Sequence, residues 1–251
     1  AEDKDVVRVV ERTFKKQGIE VSTGTPVENV EVGKDSVKFT YGDNSAEVDY
    51  LMIAGGRVPD IGPLGLEAAG VKLDDNGRVQ VDEYQRTSNE KVYAIGDIVR
   101  GSALAHKAME EGVVAAEHAS GAETHPVNLD LVPGATFCHP QVASVGLTEA
   151  QAKEAGHDIK TGKFKLGGVG AGTVYDDRDG MVKLVVDKKY GEILGAHIVG
   201  NRACDMIAEL VAVMALEGGI QELQRIMHPH PTISEAVVEG ARAVDGWATH
   251  A

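Results

Sequence analysis

The residues best suited to chemistry stand together near the end of the chain, in the sequence His-Pro-His-Pro-Thr-Ile-Ser-Glu at 228–235. Histidine has an unperturbed pKa of about 6.5, so His230 suits proton transfer near neutral pH, and Glu235 could orient its ring. A simpler alternative is open: Thr232 and Glu235 fit a capping box after Pro231, and both histidines could be loop residues that contact water. The motif therefore predicts either a general base with its carboxylate or an ordinary helix cap.

Two further segments combine glycine with a charged residue after an apolar run. Residues 46–54 end in a continuous apolar stretch, typical of a strand that is buried on both faces, and Gly-Gly-Arg follows at 55–57. A second buried strand is expected at 92–95, with Gly-Asp at 96–97. Open α/β sheets bind ligands at the carboxyl ends of their strands, where a carboxylate can accept hydrogen bonds from sugar hydroxyls. A plain exit loop is an equal alternative for the first segment, and the Gly-Asp pair is not specific alone.

The composition is that of a globular protein and excludes several classes of function. The 251 residues carry a formal net charge of −14 at pH 7, which would repel a nucleic-acid backbone. The longest nearly apolar run, 207–216, is far shorter than the roughly 20 residues of a membrane span. No export pattern is visible at the N-terminus, which favours the cytoplasm, or the mitochondrial matrix in a eukaryote. Cys138 and Cys204 are the two cysteines, and we expect reduced core thiols, with no bound metal.

The first half of the chain alternates helical and strand patterns. Apolar spacing predicts an amphipathic helix at 5–17 and a helix at 102–120. Ala105, Met109, Val113 and Ala116 would form the apolar stripe of the second helix. The expected strands and hairpin arms lie at 20–23, 26–32, 36–41, 46–54, 71–73 and 78–81.

Beyond the polar loop at 121–126, several strands are bracketed by helices, which favours an antiparallel sheet with helices on one face. The expected strands lie at 134–137, 143–146, 159–166, 180–187 and 193–199. The expected helices begin at Thr148, span 204–217 and 221–226, and close the chain after 232. The helix at 204–217 has two apolar stripes, so it needs a second partner, from its own domain or from another subunit. The glycine cluster at 167–172 does not fit Gly-x-Gly-x-x-Gly, and we interpret it as a flexible loop.

Three motifs stand in order: Ile-Ala-Gly-Gly-Arg-Val-Pro at 53–59, Tyr-Ala-Ile-Gly-Asp-Ile at 93–98, and the histidine motif at 228–235. Together they resemble the C-terminal half of the flavin-dependent pyridine nucleotide–disulfide oxidoreductases. Leu-Ala-His-Lys-Ala at 104–108 and Val-Gly-Leu-Thr-Glu at 145–149 extend the resemblance over essentially the whole chain. Each motif is weak alone, but the set at these spacings is specific.

The resemblance implies a fold class of α/β plus α+β. Residues 1–58 would be the tail of a Rossmann-like NAD-binding domain, and 59–124 the returning part of a Rossmann-like FAD-binding domain. Residues 125–251 would form an α+β dimerisation domain with an antiparallel sheet.

The resemblance also assigns roles to single residues. His230 matches the base that reaches across the dimer to the partner's redox disulfide, and Glu235 matches its orienting carboxylate. Asp97 matches the family's aspartate or glutamate whose carboxylate binds the ribityl chain of the flavin. The residues implied to bind FAD or NAD are Gly56, Arg57, Asp97, Leu104, Ala105 and His106.

Within the family, His228 together with His230 favours the branch that oxidises protein-bound dihydrolipoamide and reduces NAD. Glutathione reductase-like enzymes usually lack the first histidine, and they are one alternative. The implied partners are a second copy of the chain, lipoyl domains, and the peripheral-subunit-binding domain of a 2-oxo acid dehydrogenase complex. The sequence has no Gly-x-Gly-x-x-Gly after a strand and no Cys-x-x-x-x-Cys, so we expect an inactive C-terminal fragment. A non-catalytic dimerisation or partner-binding module is the other alternative.

Overall fold

The computed structural model describes residues 2–250, which form two compact units: 2–19 with 128–250, and 20–127. The helices are α1 Lys4–Lys16, α2 Ala105–Ser120, α3 Glu149–Glu154, α4 Gly170–Val174, α5 Ala203–Ala215, α6 Ile220–Leu223 and α7 Glu235–Val244. The strands are β1 Val27–Val32, β2 Val37–Tyr41, β3 Asn44–Val48, β4 Gly134–Thr136, β5 Gln141–Gly146, β6 Ile159–Lys165, β7 Met181–Asp187 and β8 Ile193–Gly200. Among these residues, no helix is long and apolar enough to cross a membrane.

The first unit is built on a five-stranded antiparallel sheet, as the sequence predicts, and the structure gives its strand order as β4-β5-β8-β7-β6. Strands β7 and β8 lie at its centre, and β8 is buried along its whole length. Helix α5 packs on β5 and β8, and α7 packs on β6 and β7. Their shared core includes Phe164, Leu184, Ile198, Leu210 and Val237.

The expectation that helices cover one face of this sheet is wrong. Helix α1, distant in sequence, contacts β8, and its Val6 and Val9 pack with Val142, Met181 and Val199. Alternate residues of a strand point to opposite faces, so these side chains lie on the face away from Val182 and Leu184. The strand at 180–187 has apolar side chains on both faces, and α1 covers the face opposite to α5 and α7. The three-domain division 1–58, 59–124 and 125–251 stays a prediction.

A buried lysine fixes α1 to the sheet. The Lys183 side chain is fully buried, and its ammonium lies 2.8 Å from Asp3, 2.7 Å from Asp5 and 2.7 Å from Glu149. Burial alone would lower the pKa of Lys183, but the three carboxylates raise it. Asp3 also caps α1, so one cluster joins the start of α1, the start of α3 and the centre of β7.

The second unit contains an antiparallel β1-β2-β3 sheet, but the strand expected at 46–54 ends at Val48. Met52 and Ile53 are 84% and 86% exposed. An apolar run becomes a strand only when neighbouring strands satisfy its backbone groups, and no described strand pairs with residues 49–54. For the same reason no strand forms at 20–23, and 92–95 makes a single bridge through Tyr93.

Helix α2 is present where the sequence predicts it, but its buried face differs. The expected apolar stripe, including Met109 and Val113, is exposed. Lys107 and Glu111 are buried instead and form an ion pair of 2.6 Å. Two charges that neutralise each other at i and i+4 can occupy a core position, which apolar periodicity alone does not reveal.

The glycine cluster is not a flexible loop. It forms a short 3-10 helix, Leu166–Gly168, followed by α4, and both Ala171 and Gly172 are buried. A Cβ on Gly172 would overlap the carbonyl oxygen of Leu166. These glycines therefore allow two helical turns to pack closely against each other.

Replacing Lys183 by Met in the full-length protein should lower the free energy of unfolding by about 3–5 kcal/mol, because it leaves the buried carboxylate of Asp3 without a counter-ion. Urea denaturation measures this change. The matched control is Lys188→Met, which removes an exposed pair with Asp158 and should change stability by less than about 1 kcal/mol. Equal midpoints for the two variants would contradict the role given to Lys183.

Candidate functional site

The histidine motif lies in a loop that ends where α7 begins. The His230 side chain is 74% exposed, and its Nδ1 lies 2.9 Å from Oε1 of Glu235. The other carboxylate oxygen of Glu235 accepts a hydrogen bond of 2.9 Å from the backbone N–H of Thr232. One carboxylate therefore holds both the imidazole and the loop that carries it.

The charge of Glu235 determines which nitrogen of His230 is available. Burial would raise the pKa of Glu235, but the Thr232 N–H and the His230 ring outweigh burial and lower it. An ionised Glu235 accepts the hydrogen of Nδ1, so in the neutral ring Nε2 carries the free lone pair. The arrangement can take up a proton at Nε2 and stabilise the resulting imidazolium.

The predicted capping box is only half formed. The Glu235 carboxylate reaches back to Thr232, as expected, but the Thr232 hydroxyl donates to the carbonyl of Pro229 at 2.8 Å. Helix α7 begins at Glu235 with Ser234 at its N-cap. Glu235 thus serves the loop and the histidine, while the cap that the sequence pattern indicates is incomplete.

A second histidine–glutamate pair, which sequence reasoning missed, anchors the same loop. His228 has a side chain only 6% exposed, and its Nε2 lies 2.8 Å from Glu209 of α5. Its Nδ1 faces the carbonyl oxygen of Ile226 at 3.3 Å. Because both ring nitrogens face oxygen acceptors, the doubly protonated ring satisfies them best, and Glu209 raises the pKa of His228 despite burial. The available signal was Glu209 itself, a charge inside an apolar helical run.

Two of the candidate cofactor residues come together in the second unit. Arg57 forms an ion pair of 3.1 Å with Asp97, and both side chains are exposed. The backbone before Asp97 is fixed, because Gly96 has φ of +76° and donates its N–H to the buried Glu111 at 2.8 Å. Such a φ favours glycine.

The remaining candidates lie at two chain turns. Leu104 is the N-cap residue of α2 and makes no side-chain capping hydrogen bond. Ala105 and His106 are exposed in the first turn of the helix. Gly56 has φ of +81° and open space around its Cα. The structure therefore brings His230 to Glu235 and Arg57 to Asp97.

Two sequence models of one family cover most of the chain. The model described as "Pyridine nucleotide-disulphide oxidoreductase" matches residues 1–112, and the one described as "Pyridine nucleotide-disulphide oxidoreductase, dimerisation domain" matches residues 132–241. The chain belongs to the pyridine nucleotide–disulphide oxidoreductase family. Family membership agrees with the antiparallel sheet and its helices.

Curated relatives support the same assignment. The chain is 41% identical over 250 residues to a dihydrolipoyl dehydrogenase of Cupriavidus necator, covering 98% of this chain and 52% of the relative. It is 38% identical over 260 residues to a dihydrolipoyl dehydrogenase of Bacillus subtilis, covering 99% and 54%. The chain thus spans about half the length of these relatives.

Solved structures of the family are similar across nearly the whole chain. The crystal structure of LpdA from Mycobacterium tuberculosis has a TM-score of 0.89 at 26% identity, covering 96% of this chain and 53% of that one. The HOCl-induced flavoprotein disulfide reductase RclA of Escherichia coli has a TM-score of 0.85 at 26% identity, covering 94% and 55%. The fold is therefore that of flavoprotein disulfide reductases.

Replacing Glu209 by Ala in the full-length protein should lower the free energy of unfolding by about 1.5–3 kcal/mol, the usual contribution of a hydrogen bond to a charged group. The pKa of His228 is raised, so its pair contributes fully at low pH and less as pH rises through that value. The loss should be larger at about pH 5.5 than at about pH 9. Thermal unfolding at both pH values measures this loss of stability. The control is Glu154→Ala, which removes an exposed carboxylate. A loss that grows with pH would refute the pairing.

Proposed function

We propose that the protein is a dihydrolipoyl dehydrogenase, in which this chain supplies the general base and the dimerisation domain. The observation that carries the proposal is the exposed His230, whose Nδ1 is held by Glu235 so that Nε2 is left for proton transfer. The named relatives at about 40% identity favour dihydrolipoamide over glutathione disulfide as the substrate class.

His230 acts by moving a proton. With Nδ1 bonded to Glu235, its Nε2 takes the proton of a thiol, and the imidazolium is stabilised by the carboxylate until the proton is returned. The resulting thiolate is the nucleophile of thiol–disulfide exchange. The sequence contains no Cys-x-x-x-x-Cys pair, so the disulfide that His230 serves lies outside these residues.

FAD and NAD are the proposed cofactors, and the residues of the second unit fit a hydroxylated, phosphate-bearing group. The Asp97 carboxylate beside Arg57 can accept hydrogen bonds from hydroxyl groups. At the start of α2, no side chain accepts a capping hydrogen bond from the backbone N–H groups, so these groups could bind a phosphate. Asp97, Leu104, Ala105 and His106 would contact the flavin, with Gly56 and Arg57 nearby. A bound flavin supplies electron transfer between a dithiol and the nicotinamide.

The proposed partners follow from the same assignment. A second copy of the chain would bind through the dimerisation domain, whose sequence model covers residues 132–241. Lipoyl domains would deliver the dithiol, and the peripheral-subunit-binding domain of a 2-oxo acid dehydrogenase complex would hold the enzyme in place.

Replacing His230 by Gln in the full-length enzyme should lower kcat for dihydrolipoamide by roughly 10²- to 10⁴-fold, the usual contribution of a general base. Glu235→Gln should lower it less and shift the pH profile of kcat/KM, because the imidazolium loses its counter-charge. The matched control is His157→Gln, an exposed histidine beyond α3. Steady-state kinetics with NAD measures all three variants.

The outcomes separate the alternatives. Near wild-type turnover by His230→Gln would overturn the assignment of the base. Turnover of glutathione disulfide in place of dihydrolipoamide would place the protein in the glutathione reductase-like branch. A colourless full-length dimer without turnover would favour a dimerisation or partner-binding module.

A further inference from the structure

The two cysteines of the chain, distant in sequence, lie near one backbone carbonyl in the first unit. Cys138 follows β4, and Cys204 is the second residue of α5. The Sγ atoms of Cys138 and Cys204 lie 3.9 Å and 3.8 Å from the same oxygen, that of Thr136. Both are free thiols and both are half-buried. The expected reduced thiols are present, and each packs at the margin of an apolar core.

Each thiol also lies beside a second backbone carbonyl. Cys138 Sγ lies 2.9 Å from the carbonyl oxygen of Pro140, and Cys204 Sγ lies 3.7 Å from that of Val142. Cys138 packs against the apolar cluster of Val142 and Val199. Carbonyl oxygens accept S–H donors, so both sulfurs rest as thiols that side-chain rotation could bring together.

We propose that Cys138 and Cys204 form a redox-sensitive dithiol, which a peroxide oxidises to an intrachain disulfide. The chain contains no third cysteine, so each is the other's only possible partner within this sequence. Since both sulfurs lie against one oxygen, at 3.9 Å and 3.8 Å, the two side chains are neighbours, and rotation about their Cα–Cβ bonds changes the distance between the sulfurs.

The oxidation takes place in two balanced steps. The sulfur of Cys138 attacks hydrogen peroxide, the O–O bond breaks, one water leaves, and a sulfenic acid remains. The sulfur of Cys204 then attacks that of Cys138, the S–O bond breaks, and a second water leaves. Two electrons pass from the two sulfurs to the peroxide, and the two thiol protons leave in the two waters.

The order of the steps follows from the environment of Cys204. Burial raises the pKa of the Cys204 thiol, and Asp205 and Cys138 raise it further. A thiol with a raised pKa is a poor first nucleophile towards peroxide at neutral pH, which leaves the resolving step to Cys204. Cross-linking should therefore become faster as the pH rises.

The disulfide would connect the end of β4 to the first turn of α5. Helix α5 also carries Glu209, which anchors the histidine loop. The cross-link would thus stabilise α5 against local unfolding, because it reduces the conformational entropy of the unfolded chain.

The test treats the reduced full-length protein with hydrogen peroxide, alkylates the remaining thiols and digests it without reductant. Mass spectrometry should find the Cys138 peptide joined to the Cys204 peptide, and dithiothreitol should separate them. Cys138→Ser and Cys204→Ser should lose the joined peptide, with Cys138→Ala as a second variant if serine prevents folding. The unfolding temperature should rise by several degrees on oxidation in the wild type and in neither variant.

Three results would overturn the proposal. In the first, both cysteines are alkylated separately after peroxide. In the second, each is oxidised singly to a sulfinic or sulfonic acid. In the third, a mixture of isotopically light and heavy protein shows that the joined peptides come from two different chains.

Discussion

The loop that carries His230 has no regular secondary structure, and two carboxylates determine where it lies. Glu209 of α5 holds His228 at the start of the motif, and Glu235 of α7 holds Thr232 and His230 at its end. Without them, the loop would rely on backbone contacts of a segment interrupted by two prolines, which donate no hydrogen bonds. The geometry of the candidate base is therefore a consequence of where α5 and α7 pack.

The sheet beneath these helices provides the rigid support. Helix α5 packs on β5 and β8, helix α7 packs on β6 and β7, and their apolar side chains share one core. On the opposite face, α1 and α3 are joined to β7 through Lys183. The sheet is therefore covered on both faces, and the two helices that carry Glu209 and Glu235 share one of its cores.

Patterns that depend on local chemistry predicted the structure well, and patterns that depend on distant partners did not. The start of α3 at Thr148, whose side chain caps that helix, and the contact between Glu235 and His230 follow from residues close in sequence. The apolar run at 49–54 reads as a buried strand, but strand formation requires neighbours that the described residues do not provide.

Buried polar pairs were the second source of error. The buried pair of Lys107 and Glu111 places a different face of α2 in the core from the one that its apolar residues predict. The pair of Glu209 and His228 anchors the histidine motif through Glu209, a charged residue within an apolar run. Hydrophobic periodicity assigns charged residues to the surface, so it cannot identify a charge that is buried by its partner. The roles of Asp97 and its neighbours stay predictions, although Arg57 and Asp97 do meet.

The central proposal is that His230, exposed on its own chain, serves the redox disulfide of the partner subunit, as the family resemblance implies. The most direct measurement uses full-length mixed dimers, in which one subunit carries His230→Gln and the other has its redox cysteines replaced by serine. One of the two sites then combines an intact His230 with intact cysteines, so turnover should recover to about half that of the wild-type dimer. If the mixed dimer shows only the residual turnover of its two parent dimers, His230 does not act across the interface and the account is wrong.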